Sequence, residues 1–181
     1  MDKMKQISKK NIKRNILLFV ILTTFLCAFH VPTRVAAWSF NRNTNLPISL
    51  LARNKDADFS NFAVEHGFGM TSYYHTEYDG TYLRVDVSMW PDAIFGKQRI
   101  DYASWTKDNI TVFDFSVGDE LSVAEQALRR NGFVKTRNSD EFRLQYRKFG
   151  LIITCFPDRD TGIIKSISVS VQGTNIFGIV Y

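Results

Sequence analysis

The residues beyond position 37 predict an α+β fold, an antiparallel sheet with helices packed on one face, in which the two halves read as tandem units of about 65 residues. Three observations carry this. Strand-length runs alternate apolar and polar residues, as in Phe142-Arg143-Leu144-Gln145-Tyr146-Arg147 and Ile167-Ser168-Val169-Ser170-Val171, the pattern of antiparallel strands with one face buried and one in water. One segment, residues 118–133, carries the start and stop signals of a helix. Turn residues also recur at a near-constant offset: Gly67-Phe68 and Gly132-Phe133 lie 65 apart, while Pro91-Asp92 and Pro157-Asp158, Gly96 and Gly162, and Ser104 and Ser170 lie 66 apart.

Residues 1–37 stand apart from the rest. Lys3, Lys5, Lys9, Lys10, Lys13 and Arg14 precede an apolar run, Ile16 to Val31, broken by Thr23, Thr24 and His30. Val35 and Ala37 then place small residues at −3 and −1 of a cleavage point after Ala37. The pattern reads as a secretory signal peptide or, uncleaved, as an N-terminal membrane anchor, although the run has 16 residues where a crossing takes about 20. Either way the basic flank stays in the cytoplasm and the remainder is exported. The expected location is secreted or extracytoplasmic, with the membrane reached only through residues 16–31. Phe25-Leu26 before Cys27 does not suit lipidation.

Seven of the 23 Lys and Arg and one of the 18 acids lie in residues 1–37, which leaves 16 basic and 17 acidic side chains in the exported part. The overall positive charge thus belongs to the leader, and no nucleic-acid partner is expected. Cys155 is the single cysteine beyond the leader. An internal disulfide is therefore impossible and the domain must rest on a packed core. Inside the run Leu-Ile-Ile-Thr-Cys-Phe it reads as a small core residue rather than a nucleophile.

In chain order, residues 38–55 are polar and irregular and are expected to be a linker or arm. Residues 56–66, Asp-Ala-Asp-Phe-Ser-Asn-Phe-Ala-Val-Glu-His, read as a short helix ahead of Gly67. Residues 71–78 and 81–90 flank Asp79-Gly80, a two-residue hairpin signal that pairs 78 with 81, 76 with 83 and 74 with 85. That register puts Tyr74, Tyr78, Leu83, Val85 and Val87 on the core side, and Tyr73, His75, Glu77, Tyr82, Arg84 and Asp86 toward water. In the helix of 118–133, Ser122 and Glu125 form a capping-box pair. Leu121, Ala124, Ala127 and Leu128 make its apolar stripe, and Gly132 supplies a left-handed stop that folds Phe133 back. Strands follow near 133–137, 142–147, 150–156 and 163–172, with a last one near 175–181. The halves would be 56–115 and 116–181; the alternative is one α+β domain with coincidental turns.

The stretch Val-Gly-Asp-Glu-Leu-Ser-Val-Ala-Glu-Gln-Ala-Leu-Arg-Arg-Asn-Gly-Phe, followed by Tyr146-Arg-Lys-Phe-Gly-Leu-Ile-Ile-Thr-Cys-Phe and Gly162-Ile-Ile-Lys-Ser-Ile-Ser-Val, resembles the half-fold of the small outer-membrane-assembly lipoproteins. Doubled, it resembles the β-lactamase-inhibitory-protein fold. The resemblance covers residues 116–171 better than 56–115. It implies an exported protein-binding role through the exposed sheet face and no catalysis. Two departures stand out: one cysteine cannot staple each repeat, and Cys27 lacks a lipobox.

Other chemistry finds little footing. Asp158-Arg-Asp160-Thr-Gly162 begins like a calcium loop, but its twelfth position is Val169 where a bidentate Glu is required. His66, His75, Glu65, Glu77 and Asp79 lack helical metal-ligand spacing, and no Gly-x-Ser-x-Gly elbow occurs. Neither a metal nor a cofactor is expected. Asn109-Ile110-Thr111 is a glycosylation sequon. The candidate binding surface is aromatic and basic: Tyr73, Tyr82, Arg84, Trp90, Trp105, Arg143 and Arg147. Tyr, Trp and Arg are the side chains on which interface energy concentrates. The expected function is a non-enzymatic envelope module contacting a protein or cell-wall component. The alternative is a small secreted hydrolase of wall glycan or peptide, which would need two carboxylates roughly 5–9 Å apart.

Overall fold

In the computed structural model the described residues are 2–67, 70–76, 82–88, 99–140 and 142–172. The chain divides into two units, Met1–Pro32 and Thr33–Tyr181. Helix α1, Asp2–Arg42, starts in the first and ends in the second. In the first unit Ile12 and all six residues from Ile16 to Ile21 are exposed. Among the described residues no helix is long and apolar enough to cross a membrane.

The second unit is built on strands β1 (Ala63–Gly67), β2 (Met70–Thr76), β3 (Tyr82–Ser88) and β4 (Arg99–Trp105). A small hairpin, β5 (Thr111–Val112) and β6 (Phe115–Ser116), leads to helix α2 (Leu121–Arg130), and β7 (Val134–Lys135), β8 (Leu144–Lys148), β9 (Leu151–Pro157) and β10 (Ile164–Val171) follow. Eight strands form one sheet in the order β1-β2-β3-β4-β10-β9-β8-β7, with every pairing antiparallel. Two four-stranded meanders thus meet along β4 and β10, where Ala103 faces Val169 and Ser104 faces Ser168.

One face of this sheet takes nearly all the apolar surface. Val85, Val87, Ile100, Ala103, Trp105, Tyr146, Leu151, Ile153, Cys155, Ile164, Ile167 and Val169 are buried on it. Against them pack Ala36, Ala37 and Phe40 of α1, Ala124, Ala127 and Leu128 of α2, and Phe113, Phe115 and Phe133. At the end of α2, the Phe133 N–H donates to Leu128 O and the Gly132 N–H to Arg129 O, with Gly132 at φ 78°. This is the paired stop that the Gly-Phe sequence predicts, and it sets the Phe133 ring 5.3 Å from that of Phe113. The capping box does not form. The helix starts one residue after Glu120, and the Ser122 hydroxyl donates to the Glu120 carboxylate instead of capping the backbone.

Four expectations are corrected. Residues 38–55 are not a linker: Phe40, Leu46, Ile48 and Leu50 are core residues, and the Leu51 N–H donates to Ile100 O while the Ile100 N–H donates to Ala52 O. Residues 56–66 are not a helix. A single 3-10 turn, Asn54–Asp56, is followed by the exposed edge strand β1. The hairpin register slips by one, so that Tyr74 faces Arg84 and Tyr73 faces Val85. A slip of one residue sends every side chain of β2 to the opposite face, and the Asp79-Gly80 turn itself lies outside the described residues. Phe142 precedes β8 and is exposed beneath the Arg159 guanidinium, 3.7 Å from its ring centroid. The final strand expected near 175–181 also lies outside the described residues.

Within β4 a bulge at the Asp86/Val87 pairing carries Ile100, Ala103 and Trp105 to the core, leaving Tyr102 and Ser104 on the other face. That outer face carries no helix among the described residues, yet it is less open to water than alternation alone implies. Ser72, Asp86, Ile152, Thr154 and Ser168 are buried on it. Most are short side chains set between taller ones in the register, such as Tyr74, Arg84, Tyr102 and Arg147.

Candidate binding face

The register assembles two rows across the outer face. One reads Tyr74, Arg84, Ser104, Ser168, Thr154, Gln145; the other reads Ser72, Asp86, Tyr102, Ser170, Ile152, Arg147. Arg84 is the centre of charge. Its Nε donates to Asp86 Oδ1 at 2.9 Å, and its side chain keeps 33% of its exposure while that of Asp86 keeps 8%. The hydrogen bond to Asp86 holds the guanidinium pKa above its ordinary value. The Arg84 Cζ lies 5.7 Å from the Tyr74 ring centroid and 5.8 Å from that of Tyr102, cation–π range for both. The Tyr74 hydroxyl in turn donates to Glu65 Oε2 at 2.9 Å. Five side chains from four adjacent strands therefore hold one another in place.

Arg84 and Arg147 lie on this face as the sequence predicts. Arg147 Nε donates to Phe149 O in the β8–β9 turn at 2.6 Å. Tyr73 does not: it is buried on the core side, stacked on Phe59 with centroids 3.8 Å apart. The register slip moved it there and brought Tyr74 out in its place. Trp105 is fully buried in the core because the β4 bulge turns it inward. Arg143 sits in the loop before β8, paired with Asp140, outside both rows. Tyr82 belongs to β3, but its side chain, like the whole of Trp90, lies outside the described residues. Sequence reasoning missed Tyr74, Tyr102 and Glu65. For Tyr102 a signal existed: Ile100, Ala103 and Trp105 fit one face only if a residue is inserted between 100 and 103.

A second feature is a cleft of about 360 Å³ on the other side of the hairpin, lined by Asn45, Asp58, Asn61, Phe62, His75 and Lys107 among others. His75 faces Leu83, not Arg84 as the two-residue hairpin predicts, with its ring 4.9 Å from that of Phe62. Asp58 Oδ1 accepts the Ser60 N–H, which lowers its pKa. Asn45 spans the cleft edge, its Nδ2 donating to Asn109 O and its Oδ1 accepting the Thr111 N–H. The Asp158 carboxylate is committed to its own hairpin turn, accepting the Asp160 and Thr161 N–H groups and pairing with Lys165. Among the described residues no three His, Cys, Asp or Glu side chains converge on a metal position.

No protein-family model matches the chain, and no curated protein matches it. Among solved structures, an extracellular protein containing an SCP domain from Bacillus anthracis str. Ames is similar at 8% identity and TM-score 0.49, over 67% of this chain and 43% of that one. A cysteine-rich secretory protein from Staphylococcus aureus subsp. aureus Mu50 is similar at 12% identity and TM-score 0.44, over 60% of this chain and 39% of that one. The chain spans less than half the length of either. The likeness is one of partial shape.

Proposed function

We propose that this chain is an extracytoplasmic, non-enzymatic binding module, held at the cell envelope by its N-terminal segment, that contacts a protein or cell-wall partner through the outer sheet face. The observation that carries the reading is the Arg84 cluster. Its guanidinium is ion-paired to a buried carboxylate and flanked by two tyrosines on the face away from the helices. Side chains already ordered in the free protein lose little rotamer freedom on binding, and Arg and Tyr are the types on which interface energy concentrates. The hydrolase alternative has less support, since among the described residues the cleft lining contains one carboxylate, Asp58, where glycoside hydrolysis takes two.

The basic flank and apolar run of residues 3–31 support export. The burial of Ala36, Ala37 and Phe40 supports retention of the leader over cleavage after Ala37, since cleavage there would strip two side chains from the core. Tandem duplication belongs to the same reading. Ala103 and Val169, 66 apart like the recurring turns, pair directly where the two meanders meet. The Thr33–Arg42 part of α1 would then be the first half's counterpart of α2, in place of 56–66. The same pairing supports the resemblance to the β-lactamase-inhibitory-protein fold.

A photo-crosslinking amino acid at Ser104, on the outer face, tests the function against one at Gln126, exposed on α2. Capture of a discrete envelope partner in intact cells at Ser104 only is the expected result. The same products at both positions, or none at Ser104, would place recognition elsewhere.

A further inference from the structure

We propose that the outward side of α1 in the second unit, carrying Val35, Trp38 and Arg42, is a contact surface for anionic lipid headgroups. The core fixes which way this helix faces. Ala36, Ala37 and Phe40 are buried, so the residues at i, i+3 and i+7 on the opposite side must point out. Val35 is 53% and Trp38 57% exposed, an unusual use of a Trp. The Arg42 guanidinium sits 4.2 Å from the Trp38 ring centroid. The pair offers an indole for the apolar boundary and a donor fork for phosphate in one rigid unit.

Charge and chain position both select lipid as the occupant. Residues 33–55 contain Arg34, Arg42, Arg53 and Lys55 and no acidic side chain. Each basic residue near an anionic surface contributes attraction that falls off within a Debye length. The apolar run ends at Val31, four residues before Val35, and the helix from Ile16 to Ile21 exposes apolar side chains on every side, which suits a lipid environment. A second copy of the chain fits less well. One Val and one Trp flanked by arginines fall far short of the roughly 800 Å² per partner of a standard protein interface. Tryptophan at the headgroup level needs no such area.

The inference rests on the tethered reading above, and the test separates the two. Full-length protein is reconstituted with phosphatidylcholine vesicles, with and without phosphatidylglycerol, and Trp emission is quenched by aqueous iodide or by brominated acyl chains. Subtracting the Trp38→Phe signal isolates Trp38. The expected result is loss of iodide quenching and gain of bromolipid quenching for Trp38 in anionic vesicles. Both should be reversed in part by Arg34→Gln with Arg42→Gln. Protein that floats with vesicles while Trp38 stays open to iodide overturns this inference and leaves the tether standing. Protein that does not float overturns both. Iodide protection without lipid that vanishes on dilution assigns the surface to a second copy, and overturns it as well.

Discussion

Replacing Phe40 by Ala asks whether the end of α1 belongs to the folded domain. Phe40 is fully buried, with its ring edge-on to Phe113 at 6.3 Å and 70°. Truncating a buried Phe costs about 3–5 kcal/mol through lost transfer energy and the cavity left behind. A domain of this kind is stable by about 5–15 kcal/mol in all, so the change removes a large fraction. With a urea dependence of about 2 kcal/mol per molar, the unfolding midpoint should fall by roughly 1.5–2.5 M. Far-UV circular dichroism of the full chain reads it. Trp38→Ala, on the exposed side of the same helix, is the control and should stay within about 0.5 kcal/mol of the parent. If the two substitutions shift the midpoint equally, or Phe40→Ala costs less than about 1 kcal/mol, the helix end is not docked. Residues 38–55 would then revert to the linker that their polarity suggests.

Three further outcomes follow from single sites. Asp114 is exposed at φ 69° in the two-residue β5–β6 turn, so Asp114→Gly should raise stability by about 0.5–1 kcal/mol, seen as a higher melting temperature; a lower one would deny the left-handed turn. The Lys165 pair, followed by the turn N–H groups, depresses the Asp158 pKa from 3.8 to about 2. Its stabilising effect is therefore complete above pH 4 and lost as pH falls through 2. Asp158→Asn should unfold more easily than the parent at pH 7 and alike near pH 2, and a gap that persists in acid would refute the assignment. Burial pushes the Cys155 thiol up to about 12. In a Cys27→Ser background, iodoacetamide at pH 8 should label it only on unfolding, and prompt labelling of native protein would contradict the buried site.

The second half of the chain was legible because most of its local signals agreed with the fold, the capping box at Ser122 and the inward facing of Phe142 excepted. The Leu121, Ala124, Ala127, Leu128 stripe and the Gly132-Phe133 stop mark α2, and alternation marks β8 and the part of β10 from Ile167 to Val171, beyond the bulge between Ile164 and Ser166. The first half hid behind three effects. Leu46, Ile48 and Leu50 alternate at period two within Asn45-Leu-Pro-Ile-Ser-Leu, but neighbouring polar residues masked a segment that packs without being a strand. Ala63 to Gly67 carries no alternation at all, since an edge strand with all five residues exposed has no buried face to encode. One bulge and one register slip exchanged Tyr73 and Trp105 for Tyr74 and Tyr102. The slip depends on which register wins, which short-range pattern cannot supply, whereas the bulge left its trace in the spacing of Ile100, Ala103 and Trp105.

The distribution of apolar surface between the two faces bears on what kind of partner fits. Helix α2, the Thr33–Arg42 part of α1, residues 46–50, the β5–β6 hairpin and the Phe59 and Phe62 rings all gather on the core side. The outer face is left with Ser72, Ser104, Ser166, Ser168, Ser170 and Thr154, relieved mainly by Ile152 and Phe156. A surface of short hydroxyl side chains supplies hydrogen bonds and little hydrophobic driving force. Affinity would then concentrate in the few large groups that stand above it, Tyr74, Arg84, Tyr102 and Arg147. Two of these are cations, although residues 38–181 taken together are near charge balance. A partner presenting carboxylates or sugar hydroxyls to the Arg84 cluster matches that chemistry better than an apolar one, and its binding should weaken as salt is raised.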